Sequence, residues 1–358
     1  MQRDIIQNFA ISGSFVRSNP YGLGHINSTF EVLFEENGQT KSYILQKINH
    51  NVFRDVVGLM RNIELVTSHI KKKIENPNQG TLTVIPTRSN GNYYQEPDGD
   101  YWRMYLFIDN AVAYQTAEQE EIFYKSAKAF GRFVTQLTDF DASLLCETIP
   151  NFHNTKSRFR DFQQAVAENR SGRLSEIENE VRFILEREQD CGLLVDLQEQ
   201  GKLPLRVTHN DTKLNNVLFH NETNNCICIV DLDTVMPGLS LNDFGDAIRY
   251  GASSAAEDET DLSKVFMRLD LFEAYTKGYL SEANDSLSNL EKDLLPVAAK
   301  LMTLECGMRF LGDHLNGDTY FKVHRPNQNL DRARTQLTLV ADMERKMEAM
   351  GRIVEKYR

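Results

Sequence analysis

The feature that most limits the fold of this 358-residue chain is a change in hydrophobic periodicity near residue 110. Before it, short segments alternate apolar and polar residues, which predicts strands. STFEVLFEE and QTKSYILQKI flank Asn37-Gly38, a dipeptide typical of tight turns, so residues 28–48 are predicted to form a hairpin. A helix is predicted over 51–74, followed by further strands in TLTVIPT, NYYQE and YWRMYLFI.

Beyond residue 110 the apolar residues recur at helical spacing, interrupted by one short β segment over 205–233. This order predicts an α+β fold of two lobes, with a strand-rich N-lobe over 1–109 and a helix-rich C-lobe over 110–358. A cleft between two lobes is a common place for a ligand. The predicted helices span 117–137, 155–170, 174–199, 261–280, 291–313 and 329–355.

Composition and charge exclude several classes of partner. The formal net charge of −11 argues against nucleic acid or an anionic membrane, which require a dominant positive field. No stretch approaches the roughly 18 apolar residues of a membrane span, and the N-terminal segment lacks the apolar core of a signal peptide. The five cysteines are odd in number and form no CxxC pair, so we expect free thiols and a cytoplasmic protein.

The strongest chemical signal is the segment RVTHNDTKLNNVLF, residues 206–219. His209, Asp211 and Asn216 have the H-x-D-x-x-x-x-N spacing of a phosphoryl-transfer loop. Asp211 can orient an acceptor hydroxyl and take its proton, Asn216 can hold magnesium, and Lys213 can meet the transferring phosphate. The alternative is an Asn- and Asp-rich turn between two apolar strands, which is common in proteins.

The following segment, NNCICIVDLDTVMPG, supports the chemical interpretation. A buried-looking strand leads directly to Asp231, the preferred second magnesium ligand, with Asp233 as its rival. Asp243 begins an Asp-Phe-Gly tripeptide thirty-two residues past Asp211, which is too far along the chain for the metal role. Asp243 and Asp246 are predicted instead to accept backbone amides of the catalytic loop, with plain surface positions as the alternative.

The N-lobe is expected to supply the phosphate-binding groups of a nucleotide site. Gly22, Gly24 and His25 lie in a loop before the hairpin, where backbone amides could cover phosphates, although a plain turn after Pro20 is the alternative. Lys47, near the end of its strand, is the candidate partner of the nucleotide phosphates, and an exposed strand-end lysine is the alternative. Glu64 on the next helix could pair with Lys47 or simply face solvent.

These motifs together resemble the aminoglycoside phosphotransferase–choline kinase superfamily, and the resemblance implies an α+β, protein-kinase-like fold. More closely, several segments resemble the N-acetylhexosamine 1-kinases, bacterial enzymes that phosphorylate the anomeric hydroxyl of N-acetylglucosamine and N-acetylgalactosamine. Lys47 stands where we expect these close relatives to carry arginine. The matching segments lie between about residues 20 and 340 and are GLGHINSTF, ILQKIN, HNDTKLNNVLF, VDLDTVMPG, DFGDAIR, ECGMRFLGDHLNGDTYF and NLDRARTQ.

The resemblance implies an ATP- and Mg²⁺-dependent kinase with Asp211 as base and Asn216 and Asp231 as metal ligands. It also implies that Arg309 and Tyr320 contact a small-molecule sugar. An ordinary salt-bridge ladder of Glu305, Arg309 and Asp313 along one helix is the alternative for the arginine. The alternative functions are an aminoglycoside, choline, homoserine or methylthioribose kinase, or a catalytically silent nucleotide-binding protein.

Overall fold

The computed structural model describes residues 2–22, 26–116 and 119–358, which divide into two compact units. The predicted site residues Gly24 and His25 lie outside the described residues. The first unit consists of Met1–Ala113, Asp139–Pro150 and Val217–Met236, and the second of Tyr114–Thr138, Asn151–Asn216 and Pro237–Arg358.

The first unit is built on a five-stranded antiparallel sheet in the order β1-β2-β3-β5-β4. The predicted hairpin is confirmed: β2 and β3 pair from end to end, and Asn37 and Gly38 both have positive φ between them. The elements of this part are α1 (Gln2–Ile6), β1 (Ser14–Pro20), β2 (Ser28–Glu36), β3 (Gln39–Ile48), α2 (Val56–Lys71), β4 (Tyr94–Gln95) and β5 (Tyr101–Leu106).

The two faces of this sheet have different neighbours. On one face, Leu45 of β3 and Trp102 of β5 pack with Phe9 beside α1 in a buried apolar cluster. On the other face, Gln46 and Arg103 are register partners, and Arg103 lies 3.9 Å from the sulfur of Met60 in α2. Successive strand residues point to opposite faces, so the side chains of positions 46 and 47 leave β3 in opposite directions.

A second, three-stranded sheet of the first unit carries the segment that leads to Asp231. It consists of β6 (Ala111–Val112), β8 (Val217–His220) and β9 (Cys226–Ile229), with Val217 opposite Ile229. Asn62 of α2 anchors this part of the unit by donating to the carbonyl oxygens of Cys146 at 2.8 Å and Val235 at 2.9 Å.

The strand predicted in TLTVIPT is wrong. Within residues 26–116 this segment makes only isolated bridges, from Val84 to Tyr105 and from Thr87 to Phe9. Pro86 lacks a backbone N–H, which limits how far a ladder could continue through it.

The second unit is helical, and one helix runs through its core. Helix α10 buries 17 residues, including Leu304 and Leu311, and packs against α4, α7 and α11. The helices are α3 (Glu120–Gln136), α4 (Thr155–Glu168), α5 (Glu178–Leu185), α6 (Glu188–Glu199), α7 (Ser240–Gly251), α8 (Leu269–Ala283), α9 (Asn289–Asp293), α10 (Leu295–Asn316) and α11 (Gln328–Tyr357), and the strands β7 (Arg206–Thr208) and β10 (Met236–Gly238) pair with each other.

The structure corrects two helix predictions. The single helix expected over 174–199 is a short 3₁₀ turn followed by the separate helices α5 and α6. Helix α7 was not predicted, because its sequence SLNDFGDAIRYG contains residues that favour turns. Its Gly245 allows close packing, since an added Cβ would lie 2.5 Å from the carbonyl oxygen of Ala298 in α10. No helix in the described ranges is both long and apolar enough to cross a membrane.

Candidate active site

The candidate catalytic loop follows β7 in the second unit, and two carboxylates of α7 hold its backbone. Asp243 accepts hydrogen bonds from the amides of His209 at 2.8 Å and Asn210 at 2.7 Å. Asp246 accepts the amide of Thr212 at 3.1 Å. The hydrogen bonds predicted for Asp243 and Asp246 are therefore confirmed, and α7 fixes the course of the loop on both sides of position 211.

Asp211 is surrounded by groups that stabilise its charge. One carboxylate oxygen lies 2.9 Å from the ammonium of Lys213, and the other accepts the side-chain amide of Asn216 at 3.1 Å. Burial alone would raise the pKa of Asp211, but the charge and hydrogen bond of Lys213, with the amide of Asn216, lower it below the usual value. Asp211 is therefore ionised at neutral pH and able to accept a hydrogen bond from a hydroxyl.

Asn216 has the chemistry that a metal ligand needs. Its amide nitrogen donates to the backbone carbonyl of Asp211 at 2.8 Å as well as to the carboxylate. Because both contacts use the nitrogen, the amide oxygen is the group left to meet a hard cation, which prefers oxygen ligands.

In the first unit, the two aspartates after β9 differ in their surroundings. Asp233 is buried, and both of its carboxylate oxygens meet Arg103, at 2.5 and 2.9 Å. Asn27 also donates to Asp233 at 2.6 Å. Asp231 is exposed and has left-handed backbone angles, φ 59° and ψ 56°, a conformation that Asp and Asn adopt more readily than other residues with a side chain. Asp233 thus serves as an internal ion-pair partner, whereas Asp231 faces solvent.

Lys47 lies on the sheet face opposite Arg103 and pairs with Asp100. Of the two alternatives for Glu64, the pair with Lys47 is absent in the described part of the chain. Glu64 is exposed and accepts the side-chain amide of Asn92 at 2.9 Å. The alternation of strand residues explains this result, because α2 packs on the face that carries Arg103 and the Lys47 side chain leaves on the other face.

Of the predicted glycine loop, the structure describes Gly22, which has a φ of 76°, and Asn27. Asn27 connects two parts of the first unit, since its side-chain oxygen accepts the backbone amide of Asn49 at 2.9 Å while its nitrogen donates to Asp233. This side chain ties the end of the loop to the segment carrying Asp231.

Arg309 of α10 is framed by aromatic rings. Its guanidinium carbon lies 5.4 Å from the ring centroid of Phe152, 5.9 Å from that of Tyr320 and 5.5 Å from that of Phe321. Tyr320 is two-thirds exposed and Arg309 is half-buried, so the cluster combines a cation with a solvent-facing ring. The structure thus brings the two predicted acceptor-site residues together.

The salt-bridge ladder offered as an alternative for Arg309 does not form among the described residues of α10. Glu305 contacts His153 at 2.8 Å and accepts the hydroxyl of Thr155 at 2.7 Å. Asp313 accepts the backbone amides of Thr319, Tyr320 and Phe321 at 2.8–2.9 Å. Asp313 therefore fixes the segment that carries Tyr320.

Sequence reasoning missed four residues of these networks: Arg103, Phe152, His153 and Asp313 as a loop anchor. A cation inside the apolar strand YWRMYLFI was a usable signal for Arg103, because a buried guanidinium requires a partner. Phe152 and His153 gave none, since their partners Arg309 and Glu305 lie more than 150 positions away.

The fold and the loop define a class of protein: a phosphotransferase with a protein-kinase-like α+β architecture. Residues 19–279 match the phosphotransferase enzyme family, APH, and the chain belongs to that family. The predicted fold class and the predicted kinase-type enzyme are thereby confirmed.

Solved structures of the same fold cover nearly the whole chain. An aminoglycoside phosphotransferase from Alicyclobacillus acidocaldarius has a TM-score of 0.66 at 11% identity, covering 99% of this chain and 97% of its own. A microcompartment-associated aminopropanol kinase has 0.60 at 15%, with 98% of each chain covered. A choline kinase from Cryptosporidium parvum has 0.57 at 16%, covering 98% and 97%. Such low identities establish the shared fold and leave the acceptor open.

Proposed function

We propose that this kinase transfers the γ-phosphoryl group of ATP to the anomeric hydroxyl of an N-acetylhexosamine, N-acetylglucosamine or N-acetylgalactosamine. The products are ADP and the sugar 1-phosphate. The observation that carries the proposal is the cluster of Arg309 with Phe152, Tyr320 and Phe321. A guanidinium fork donates to neighbouring oxygens, and aromatic rings stack on the apolar face of a sugar, so the cluster suits a neutral polyhydroxyl acceptor.

The charge of Arg309 is the argument against a cationic acceptor. The similar structures include choline, aminopropanol and spectinomycin phosphotransferases, whose acceptors carry a positively charged nitrogen. A site for such an acceptor needs carboxylates or an aromatic cage without a competing cation. Because a guanidinium already occupies the aromatic frame here, like-charge repulsion disfavours an ammonium group.

In the proposed reaction the acceptor hydroxyl donates a hydrogen bond to the ionised Asp211. As the new O–P bond forms, the bond from the γ-phosphorus to the bridging oxygen breaks, the hydroxyl proton passes to Asp211, and ADP leaves. Lys213, 2.9 Å from Asp211, supplies positive charge where the transferring phosphoryl group is most negative.

Asn216 and Asp231 are the proposed magnesium ligands. Antiparallel pairing of Val217 with Ile229 supports this, because the start of β8 and the end of β9 lie at the same end of the hairpin. Asn216 directly precedes Val217, and Asp231 follows Ile229 by two residues. Bound magnesium would neutralise part of the negative charge of the nucleotide phosphates. We propose that Gly22, Gly24, His25 and Lys47 bind those phosphates.

In this assignment residues 1–109 bind the nucleotide, and residues 110–358 supply catalysis and acceptor binding. Nucleotide use is supported by similar structures solved with ADP and with AMP-PNP. The five cysteines have free thiols, which suits the reducing cytoplasm.

The proposal is tested by measuring ADP release across a panel of acceptors. N-acetylglucosamine and N-acetylgalactosamine are compared with choline, aminopropanol and spectinomycin at equal concentrations. We expect kcat/KM for an N-acetylhexosamine to exceed that for every amine by at least about tenfold, because one charged hydrogen bond is worth that ratio. Turnover of an amine with no turnover of either sugar would remove the acceptor assignment and leave the kinase assignment intact.

A further inference from the structure

His153 links helix α10 to the catalytic loop within the second unit. Its side chain is 7% exposed. Nδ1 lies 2.8 Å from a carboxylate oxygen of Glu305, and Nε2 lies 3.0 Å from the backbone carbonyl oxygen of Asn210. A carbonyl oxygen only accepts hydrogen bonds, and so does an ionised carboxylate. The imidazole must therefore carry a proton on each nitrogen to satisfy both contacts.

Glu305 is ionised in this arrangement. Its second oxygen accepts the hydroxyl of Thr155 at 2.7 Å. Burial opposes the charge, but the hydrogen bond from His153 lowers the pKa of Glu305. In turn burial opposes the charge on His153, and the Glu305 carboxylate raises the pKa of His153 above its usual value.

Two carboxylates and one guanidinium are the other charged groups of this network. Asp246, on α7, favours the imidazolium, and Asp243 on the same helix interacts with it. Arg309, one turn beyond Glu305 on α10, lowers the pKa of Glu305 and so helps to keep it ionised.

The carbonyl that His153 holds belongs to the residue directly before Asp211. Asn210 has a left-handed backbone, with a φ of 64°, and its amide is already fixed by Asp243. Holding the carbonyl as well fixes the plane of the peptide that leads into Asp211. We propose that His153, held doubly protonated by Glu305, is a positioning residue that sets the direction of the Asp211 carboxylate.

The same segment also touches the acceptor-site cluster. The ring centroids of Phe152 and His153 are 4.4 Å apart, and Phe152 lies under the guanidinium of Arg309. Residues 152 and 153 thus join the cluster around Arg309 to the loop around Asp211. This second part of the inference rests on the proposed function, whereas the positioning of Asp211 requires only the kinase activity.

The kinetic test compares His153→Gln with Glu305→Gln, the double variant, and Ile184→Ala. Ile184 is fully buried in the apolar core of the second unit, so its truncation is a control for lost stability without contact with the loop. We expect His153→Gln to lower kcat at least about tenfold, since small misplacements of a catalytic group are costly, and to leave the KM for ATP within twofold. The double variant should lose no more than the larger single loss, because the two residues act as one unit.

The spectroscopic test follows the ¹⁵N signals of His153 in the full chain. We expect both ring nitrogens of His153 to be protonated at neutral pH, and Glu305→Gln to move its deprotonation to lower pH. The sign follows from the contact: removing the carboxylate removes the group that favours the imidazolium.

Two results would overturn the inference: a kcat for His153→Gln within twofold of the Ile184→Ala value, or a neutral His153 at pH 7 in the unmodified protein. Failure of the acceptor assignment is separable from both. The ¹⁵N measurement needs no acceptor, and kcat is measured with whichever alcohol of the panel the enzyme phosphorylates.

Discussion

The ammonium of Lys213 lies 2.9 Å from a carboxylate oxygen of Asp211. The interaction is reciprocal: the Asp211 charge is the largest influence raising the pKa of Lys213, and Lys213 helps to lower the pKa of Asp211. Each group therefore keeps its neighbour charged, so the loop presents a fixed carboxylate and a fixed ammonium side by side. Such preorganised charges act without further rearrangement during phosphoryl transfer.

We expect Asp211→Asn to keep ATP binding and to lower kcat by at least about 100-fold, the scale of general acid–base groups. The amide cannot take the hydroxyl proton. Steady-state kinetics and nucleotide titration separate the two effects. Asp196→Asn is the matched control, because Asp196 also pairs with a lysine, Lys156 at 2.6 Å, on the surface of the same unit. Turnover of Asp211→Asn close to that of Asp196→Asn would take the base role away from Asp211.

The metal prediction concerns Asn216 and Asp231. Asn216→Ala and Asp231→Ala should each raise the Mg²⁺ concentration needed for half-maximal activity, and the effect should be larger for Asp231, which brings formal charge. Asp243→Ala should leave this concentration nearly unchanged, because its carboxylate accepts two backbone amides. Magnesium titrations at fixed ATP make the comparison. A larger shift for Asp243→Ala than for Asp231→Ala would reverse the assignment.

The sequence predicted the parts of the site that are local along the chain. The spacing of Asp211, Lys213 and Asn216 predicted a loop that the structure folds into one cluster of contacts. The β2–β3 hairpin followed from alternation and its Asn37-Gly38 turn. These features depend on neighbours within a few residues, which is the range over which periodicity and turn chemistry act.

Long-range pairing was beyond the sequence patterns. The sequence analysis did not identify Arg103, whose guanidinium meets Asp233, 130 positions later. Which strand side chains face Asp233 depends on the sheet face that α2 covers. Alternation of apolar and polar residues cannot reveal that face for a strand that is buried on both sides. Helix α7 was not predicted, because Asp243 and Asp246 are weak helix formers. Their carboxylates accept backbone amides of the catalytic loop, a role that the local sequence pattern does not reveal.

Asp243 gives a prediction for stability against pH. Burial raises the pKa of Asp243 to about 6. The native state therefore holds a proton between about pH 4 and pH 6 that the unfolded chain has released, so this group lowers the free energy of unfolding as pH rises through that range. We expect Asp243→Asn to remove this contribution, which amounts to about 3 kcal/mol for a shift of two pKa units.

The measurement is urea unfolding of both proteins at pH 4.5 and pH 6.5. As the pH rises from 4.5 to 6.5, the free energy of unfolding should fall more in the unmodified protein than in Asp243→Asn. In a separate activity assay the variant should have the lower kcat, because an amide nitrogen now faces a backbone N–H. Equal pH dependence in the two proteins would show that Asp243 is ionised throughout.

Arg309→Ala should lower kcat/KM for the sugar by about ten- to a hundredfold, since losing a hydrogen bond from a charged donor costs roughly 1.5–3 kcal/mol. The KM for ATP should stay nearly constant. Arg187→Ala is the control: that guanidinium also lies over an aromatic ring, Phe183 at 3.4 Å, but pairs with Glu344. A loss for Arg309→Ala no greater than for Arg187→Ala would exclude a contact between Arg309 and the acceptor.

Phosphorus NMR of the product formed from ATP and N-acetylglucosamine tests transfer to the anomeric hydroxyl most directly. We expect one new monophosphate whose phosphorus couples to the anomeric proton, formed by the unmodified protein and nearly absent with Asp211→Asn. A phosphate on another sugar hydroxyl would contradict transfer to the anomeric position. No sugar phosphate at all, with a phosphorylated amine in the parallel reactions, would contradict the sugar assignment.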